Sequence, residues 1–283
     1  MRCHRGIVRL AAGLALMTAA TVAWADITMG VFPRRPVGVT HKAFKPLAAH
    51  LSQVLGEKVT LVVPKDFKAF WAGVKAGRFD LVHYNQYHYL RSHKELGYRV
   101  IVANEERGKR TIAGALSVRR DSGINSVADL KGKTILFGGG RMAMGSYIAP
   151  TAVLKRAGLV EGRDYTARFA KNPPAAVIAV YNKAADAAGS GNVVLQLGVV
   201  KRRIDTGQMK VLAESEPFTH LCWAVAPSVP EAKAKKIQQA MVSLKQTAPA
   251  VLKAAKVTDF YAVTDKDFDK VREIVRFALG ESY

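Results

Sequence analysis

The sequence predicts an α/β protein built from two similar units. Residues 27–84 alternate short apolar strands with segments of helical period, and residues 113–215 repeat this alternation. Strands joined by helices of this length form parallel sheets with right-handed crossovers. From residue 220 onward one strand is followed by helical segments, so the C-terminus is predicted to be mainly helical.

The first unit opens with a strand at 27–33 that ends at Pro33. The next segment, 41–56, carries apolar side chains at helical spacing, with Thr40 as its predicted cap and Gly56 as its stop. The unit then continues with a strand at 59–64, a helix between Asp66 and Gly77, and a strand at 79–84.

The second unit repeats the theme around a glycine-rich turn, and its last strand leads into the C-terminal helices. The predicted elements are a strand at 113–120, a short helix capped by Ser126, a strand at 133–138, a helix at 146–157, a strand at 163–170, a helix at 173–185, strands at 185–191 and 209–215, a strand at 220–227, and helices up to residue 279.

Residues 1–25 have the pattern of a secretory signal peptide. Three arginines precede an apolar run at 10–22, and Ala23-Trp24-Ala25 provides a small-x-small cleavage site. A lipoprotein cysteine would close the apolar run, whereas Cys3 precedes it, so no lipid anchor is expected. We expect a mature chain that begins at Asp26 and is a soluble protein of the periplasm.

The chain is strongly basic, with a formal net charge of +21, and three of these charges lie in the signal peptide. Such a field attracts anionic partners in general. The basic residues are scattered, the chain is expected to be exported, and no nucleic-acid-binding signature is present, so no nucleic-acid partner is predicted. We also expect a monomer without a cofactor.

Seven stretches occur in a fixed order along the chain: GVFPRRP, FKPLAAHLSQVLGEKV, AGRFDLVHYNQYHYL, SVADLKGKTILFGGG, GSYIAPTAVL, AVYNKAADAAGSG and VLAESEPF. Together they resemble one family, the periplasmic binding proteins of phosphate, phosphite and phosphonate ABC transporters. The resemblance covers nearly all of the mature chain and implies two α/β lobes that close like a hinge on a ligand cleft. It places lobe 1 at 26–112 plus 213–283 and lobe 2 at 113–212.

The glycine-rich turn departs from the family pattern. Relatives carry a Ser-Thr-Ser-Gly sequence that grips phosphonate oxygens, whereas this chain has Met142-Ala143-Met144-Gly145. Backbone donors at the start of a helix still hold anions. We therefore predict an anion cradle formed by the backbone of 143–147, the hydroxyls of Ser146 and Tyr147, and the guanidinium of Arg141. The changed side chains leave the identity of the anion open.

The methionines admit a second interpretation. Thioethers suit soft metals such as Cu(I), and in a strand His220 and Cys222 would point the same way. Met142, Met144, His220 and Cys222 would then form a soft-ligand site. The alternatives are that the methionines line an apolar wall for a ligand or pack in the core, and that Cys222 is a buried small hydrophobic residue.

The remaining candidates lie mostly where strands end. Tyr84 and Asn85 follow a parallel strand, at the edge where open α/β sheets bind ligands. Phe32 and Arg34 follow the first strand in the same way. Ser190 belongs to a Gly-Ser-Gly turn that either reaches the ligand or only turns the chain.

No motif of a hydrolase, metalloprotease or phosphate-loop enzyme is present, so we predict a binding protein and not an enzyme. The expected partners are a small anionic ligand and an ABC permease. One alternative is a binding protein that reports an oxyanion, metalloid or soft metal to a membrane sensor. The other is a periplasmic redox factor that uses Cys222.

Overall fold

The structure of the protein is a computed structural model that describes residues 26–283, so the predicted signal peptide lies outside the described residues. The strands are β1 (Ile27–Val31), β2 (Val59–Val62), β3 (Leu81–Tyr84), β4 (Arg99–Glu105), β5 (Thr111–Ile112), β6 (Gly114–Arg119), β7 (Thr134–Gly138), β8 (Thr166–Ala170), β9 (Ala187–Gly191), β10 (Met209–Glu214), β11 (Phe218–Thr219), β12 (Cys222–Val225) and β13 (Asp259–Ala262). The α-helices are α1 (Val37–Leu55), α2 (Phe67–Lys75), α3 (Gln86–Leu96), α4 (Ala149–Arg156), α5 (Pro173–Tyr181), α6 (Gly198–Lys201), α7 (Glu231–Val242), α8 (Leu244–Thr247), α9 (Pro249–Ala255) and α10 (Asp269–Leu279).

The first sheet has six strands in the order β13-β4-β12-β3-β1-β2. The pairs β1–β2 and β1–β3 are parallel, as the strand–helix alternation predicts. The strands β4 and β13 were not predicted. Every interior residue of β4 is buried, so its sequence lacks the polar–apolar alternation that marks a half-exposed strand.

The second sheet has five strands in the order β10-β6-β9-β7-β8, with β7 parallel to both β8 and β9. We call the first sheet with its helices lobe 1 and the second sheet with its helices lobe 2. The predicted lobe bounds stay a prediction, and the predicted boundary at 212/213 falls inside β10, which ends at Glu214.

Two helix starts differ from the prediction. Helix α1 begins at Val37 after Pro36, so Thr40 lies in its first turn and is not its cap. The predicted helix at 146–157 begins with one turn of π-helix, Met144–Ile148, before α4. The predicted Asp66 cap is confirmed, because its carboxylate accepts a hydrogen bond of 2.7 Å from the amide of Ala69.

The C-terminal helix α10 packs against both lobes. It contacts α3 of lobe 1 and α4 of lobe 2, and Lys155 of α4 donates a hydrogen bond of 3.3 Å to the carbonyl of Phe277. Across residues 26–283, no helix has the length and apolar character needed to span a membrane.

Candidate ligand cleft

One edge of the first sheet brings together four chain segments, namely the residues that follow β1, β3 and β4 and the residues that precede β12. Strand β12 runs antiparallel to both β3 and β4, so β4 points the same way as β3 and β1. The carboxyl ends of these three strands therefore lie at the same edge of the sheet, with the start of β12 between those of β4 and β3. This edge is where open α/β sheets bind ligands. This edge carries what we call the arginine–histidine cluster, which consists of Arg34, Arg35, His83, Asn104, Glu106 and His220.

The carboxylate of Glu106 is the negative centre of this cluster. Its Oε1 accepts hydrogen bonds from the Arg34 guanidinium at 2.8 Å and from the Asn104 side-chain amide at 3.1 Å. Burial opposes ionisation of Glu106, but the charges of Arg34 and His220 and these hydrogen bonds outweigh it and lower its pKa to about 2. Glu106 is therefore ionised and bound to Arg34 across the physiological pH range.

Arg35 has no such carboxylate of its own. Its Nη1 is buried and has no hydrogen-bond partner among residues 26–283. Burial first, and then the like charge of Arg34, lower its pKa to about 10 against a weaker opposing effect of Glu106. Arg35 remains a cation at neutral pH. Its charge lies near Glu106, whose carboxylate is already bound to Arg34.

The imidazole of His83 stacks on the indole of Trp223, with ring centroids 4.4 Å apart. The indole nitrogen of Trp223 donates to Oδ1 of Asn104 at 3.2 Å, which turns the NH2 group of Asn104 toward Nε2 of His83 at 3.4 Å. Because Nε2 faces a donor, it acts as an acceptor and the proton of the neutral ring resides on Nδ1. Burial and the charges of Arg34 and Arg35 hold the pKa of His83 well below its usual value.

His220 lies just before β12 and is 5% exposed. Its Nδ1 accepts a hydrogen bond of 2.8 Å from the amide of Leu221, so Nε2 carries the proton and lies 4.0 Å from Oε2 of Glu106. Burial lowers the pKa of His220 to about 4, despite the opposing charge of Glu106. His220 is neutral at physiological pH, and its Nε2 lies beyond hydrogen-bond distance of the Glu106 carboxylate.

In lobe 2 the glycine loop, residues 139–146, supplies amide donors. Within residues 26–283 the amides of Met144, Gly145 and Ser146 have no hydrogen-bond acceptor, because the first turn of a helix leaves its amides unpaired. Gly139 takes a φ of 114°, which glycine permits. A Cβ on Gly189 would lie 2.7 Å from the carbonyl of Ser146, so only glycine allows β9 to pass this close beneath the loop.

The predicted charge of the loop, Arg141, is paired within lobe 2. Its guanidinium contacts the carboxylate of Glu161 at 2.6 Å and the hydroxyl of Tyr147 at 2.6 Å. The hydroxyl of Tyr147 also donates to Glu161 at 2.8 Å, and the hydroxyl of Ser146 donates to the carbonyl of Gly138. A role of these three side chains at the ligand stays a prediction, and the structure engages each of them elsewhere.

The loop meets lobe 1 through Met142. The side-chain amide of Asn85 donates to the Met142 carbonyl at 3.1 Å, and Arg91 lies 3.8 Å from the Met142 sulfur. Asn85 also caps α3, because its Oδ1 accepts from the amide of His88 at 2.8 Å. Ala143 packs beside the core, whereas Met144 is only 1% exposed and belongs to it, as one of the predicted alternatives holds.

Three other predicted contacts lie deeper in the protein. Phe32 packs with its ring centroid 5.0 Å from that of His83, so it lines the cluster from its apolar side. Tyr84 is fully buried against Phe70 and Tyr98. Ser190 is fully buried in β9, opposite Ala115. Contact of these residues with a ligand stays a prediction.

The soft-ligand interpretation finds little in this arrangement. Cys222 is a free, fully buried cysteine, and burial raises the pKa of its thiol well above its usual value. Over residues 26–283, no group of three or more histidine, cysteine, aspartate or glutamate side chains is placed to hold a metal ion. The cleft therefore offers amide and guanidinium donors more readily than soft ligands.

Sequence reasoning did not find Arg35, Asn104 and Glu106. Asn104 lies in β4, and Glu106 directly follows this strand. The interior of β4 is buried on both faces and shows no polar–apolar alternation, so the strand was not predicted. Arg35 carried a usable signal, because it stands next to Arg34 at the carboxyl end of β1. The sequence alone does not show which of two adjacent arginines a distant glutamate binds.

The fold and the cleft define a substrate-binding protein of the two-lobe periplasmic type. Residues 29–268 match the family model of the periplasmic substrate-binding proteins of phosphonate ABC transporters. The chain belongs to this family, and the predicted α/β fold class and family resemblance are confirmed.

Solved structures share this fold at low sequence identity. A binding protein of an ABC phosphonate transporter from Pseudomonas aeruginosa is 16% identical, with a TM-score of 0.75 over 89% of this chain and 86% of that chain. PhnD1 from Prochlorococcus marinus, solved with methylphosphonate, is 18% identical, with a TM-score of 0.74 over 89% of this chain and 97% of that chain. These similarities establish the fold alone.

A curated relative has a different role. The chain is 27% identical over 239 residues to the tetrathionate sensor histidine kinase TtrS of Salmonella typhimurium. The match covers 77% of this chain but 40% of the kinase, so the chain spans less than half the length of that relative.

Proposed function

We propose that the protein captures a small oxyanion in the periplasm, in the cleft between its lobes, and presents it to an ABC permease without chemical change. Two groups of hydrogen-bond donors that have no acceptor, one in each lobe, carry this proposal. Lobe 2 contributes the amides of Met144, Gly145 and Ser146, and lobe 1 contributes the guanidinium of Arg35. Unpaired amides at a helix start and an unpaired guanidinium both bind oxyanions in proteins.

The connection between the lobes supports the same proposal. Asn85 follows β3, the strand next to β1, and its hydrogen bond to Met142 brings the glycine loop to the lobe 1 edge that carries Arg35. An anion held by both donor sets would be enclosed when the lobes close. The domain bounds, the monomeric state and the signal peptide are parts of this proposal.

A second candidate function is favoured by the similarity to the tetrathionate sensor kinase. In this alternative the same cleft binds an oxyanion, and the closed protein reports to a membrane sensor instead of feeding a permease. Capture by a detergent-solubilised ABC permease in the presence of ligand supports the transport function. Capture by a sensor kinase alone supports the second candidate.

A thermal-shift panel tests the capture of an anion. The melting temperature of protein purified from the periplasm is measured with each of seven anions at about 1 mM. The anions are chloride, phosphate, phosphite, methylphosphonate, methanesulfonate, sulfate and thiosulfate. A specific ligand raises the melting temperature through linkage, whereas non-specific binding to the basic surface raises it equally for every anion of the same charge. Equal shifts throughout the panel would overturn the proposal.

A further inference from the structure

The first turn of α2 places an exposed phenylalanine at the edge of the sheet that carries the arginine–histidine cluster. Strand β2 is parallel to β1, so both strands end at this edge. Asp66 caps α2 through its bond to Ala69, and this cap fixes the position of Phe67, the first residue of the helix. Phe67 is 37% exposed. A large apolar side chain is therefore open to solvent at the ligand edge of lobe 1.

Phe67 belongs to a series of packed rings that we call the aromatic shelf, which consists of Phe32, Phe67, Trp71 and His88. The ring centroid of Phe32 lies 5.0 Å from that of His83 in the cluster and 6.0 Å from that of Phe67. Phe67 stacks on His88 at 5.7 Å, and His88 lies 5.5 Å from Trp71. These are the distances of interacting aromatic pairs. The aromatic shelf therefore begins at the cluster that carries the unpaired donor of lobe 1.

The other end of the aromatic shelf meets the glycine loop of lobe 2. The guanidinium carbon of Arg91 lies 4.6 Å from the centroid of the Trp71 ring, and its Nη1 lies 3.8 Å from the sulfur of Met142. Arg91 is paired with Glu95 at 3.0 Å, so its charge is already compensated. The side chain of Met142 is partly exposed. The aromatic shelf thus runs from the donor of one lobe to the loop that carries the donors of the other.

The support beneath the Phe67 ring is uncharged. Nδ1 of His88 donates to Oδ1 of Asn85 at 2.8 Å, and burial, followed by the charge of Arg91, lowers the pKa of His88 to about 3. Nε2 of the same ring is buried and has no partner among residues 26–283. Because His88 covers one face of the Phe67 ring at an interplanar angle of 19°, the exposed part of that ring is its other face and its edge. Such a face binds apolar groups by burial and stacking.

We propose that the ligand of the cleft is an organic oxyanion with a large apolar substituent, such as an aryl group, which lies on the exposed face of Phe67 beside Met142. This inference rests on the proposed function, because the donors of the cleft hold the oxyanion and the aromatic shelf contacts the rest of the ligand. Met142 belongs to lobe 2, so closure of the lobes brings its side chain over the substituent. A small inorganic anion held by the same donors leaves Phe67 uncovered.

Calorimetric titration with a constant head group and a growing substituent tests the proposal. Methyl-, propyl- and phenylphosphonate form one series, and methane-, propane- and benzenesulfonate form the other. Within a series the head group is the same, so the affinities report the substituent. In a series whose head group binds, the phenyl compound should bind at least about tenfold more tightly than the methyl compound, since each fully buried methylene contributes about a fourfold gain.

Two substitutions locate the contact. Phe67→Ala should reduce the gain from the phenyl group by at least about threefold and change the affinity for the methyl compound by less than about twofold. Met142→Ala should reduce the same gain from the side of lobe 2, because it keeps the backbone carbonyl that Asn85 binds. Phe277→Ala is the matched control, because Phe277 is 43% exposed and lies on α10 against Arg156. It should change neither affinity, and melting temperatures verify that each variant is folded.

The outcomes separate this inference from the proposed function. If the phenyl compound binds no more tightly than the methyl compound, the inference is overturned and oxyanion capture stands. An equal loss of methyl and phenyl affinity in Phe67→Ala would also overturn the inference, because Phe67 would then support the cleft without contacting the substituent. If no member of either series binds and the inorganic anions do not bind either, both proposals fall.

Discussion

The side-chain amide of Asn85 donates a hydrogen bond of 3.1 Å to the backbone carbonyl of Met142. This bond joins the first turn of α3 in lobe 1 to the glycine loop of lobe 2. The same Asn85 caps α3 through its Oδ1. One residue therefore ends a strand, starts a helix and holds the ligand loop of the other lobe.

The two roles of Asn85 are separable by mutation. Asn85→Ala removes the cap and the bond to Met142, and should lower the free energy of unfolding by about 1 kcal/mol and weaken anion binding. Asn85→Ser keeps a good capping side chain but is too short to reach Met142. We expect Asn85→Ser to retain most of the stability and to lose affinity, as measured by urea unfolding and calorimetry. Equal affinity in both variants and in the unmodified protein would show that the bond has no part in binding.

The arginines of the cleft should differ in their effect on binding. Arg141→Gln removes a guanidinium that is 61% exposed and paired with Glu161, so it should change anion affinity by less than about threefold. Arg35→Gln removes the unpaired charge and should have a much larger effect. Dissociation constants for methanesulfonate measure both. A larger loss from Arg141→Gln would assign the ligand charge to lobe 2.

The pH dependence of binding should follow the ligand and not the protein. Between about pH 6 and about pH 8 the groups around the site keep their charge. The pKa of Arg35 is lowered only to about 10, that of His220 is lowered to about 4, and that of Glu106 is lowered to about 2. His83 also stays neutral, since its pKa is lowered. The affinity for methanesulfonate should be flat, whereas that for methylphosphonate should rise as its second proton is lost. A methylphosphonate affinity that falls over this range would contradict this expectation.

Stability should decrease on acidification from neutral pH. Burial lowers the pKa of His88 to about 3 and that of His220 to about 4, both from a usual value of 6.5. Below pH 6.5 the unfolded chain binds protons that the folded chain excludes, so each histidine lowers the free energy of unfolding until its folded pKa is reached. We expect a loss on the order of 1 kcal/mol per histidine between pH 7 and pH 5.

Urea unfolding at several pH values measures this loss. His88→Gln keeps a polar side chain at the position and cannot titrate, so its stability should fall less steeply below pH 6.5. The test compares only how steeply the free energy of unfolding falls with pH in the two proteins. A general destabilisation by the substitution does not affect this slope. An unchanged slope would show that His88 does not contribute to acid sensitivity.

Cys222 should not react in the native protein. Its side chain is fully buried, and burial raises its pKa, whereas reactive cysteines are exposed and have a lowered pKa. An aromatic disulfide reagent that releases a coloured thiolate when it reacts with a thiol should give no absorbance change with the folded protein at about pH 7.5. After unfolding in urea it should detect one thiol per chain. Rapid labelling of the folded protein would revive the redox alternative.

Much of the fold follows from local sequence pattern. The crossover elements β1 to β3 and β7 to β9 alternate with amphipathic or apolar helices, and Asp66 marks a helix start by its own chemistry. The strand β4 was missed because burial on both of its faces erases the periodic signal. Proline at position 36 set the start of α1, although Thr40 has the side chain of a typical cap.

The site was predicted less completely than the fold. The glycine loop and Asn85 lie where strand ends and the family resemblance placed them. The pairing of charges was not predictable, because Arg34 binds Glu106, 72 positions further along the chain, and Arg141 binds Glu161, 20 positions further along and beyond α4. Such pairs depend on tertiary contacts that no local pattern encodes. They decide which arginine remains available for a ligand.

The most direct test is a crystal structure of the protein grown with methanesulfonate. We expect one anion in the cleft, with oxygens about 2.7–3.2 Å from the guanidinium of Arg35 and from at least two of the amides of Met144, Gly145 and Ser146. Arg34 and Arg141 should keep their contacts with Glu106 and Glu161. An anion bound by Arg141 or outside the cleft, with Arg35 still unpaired, would show that Arg35 and the loop amides do not form the ligand site.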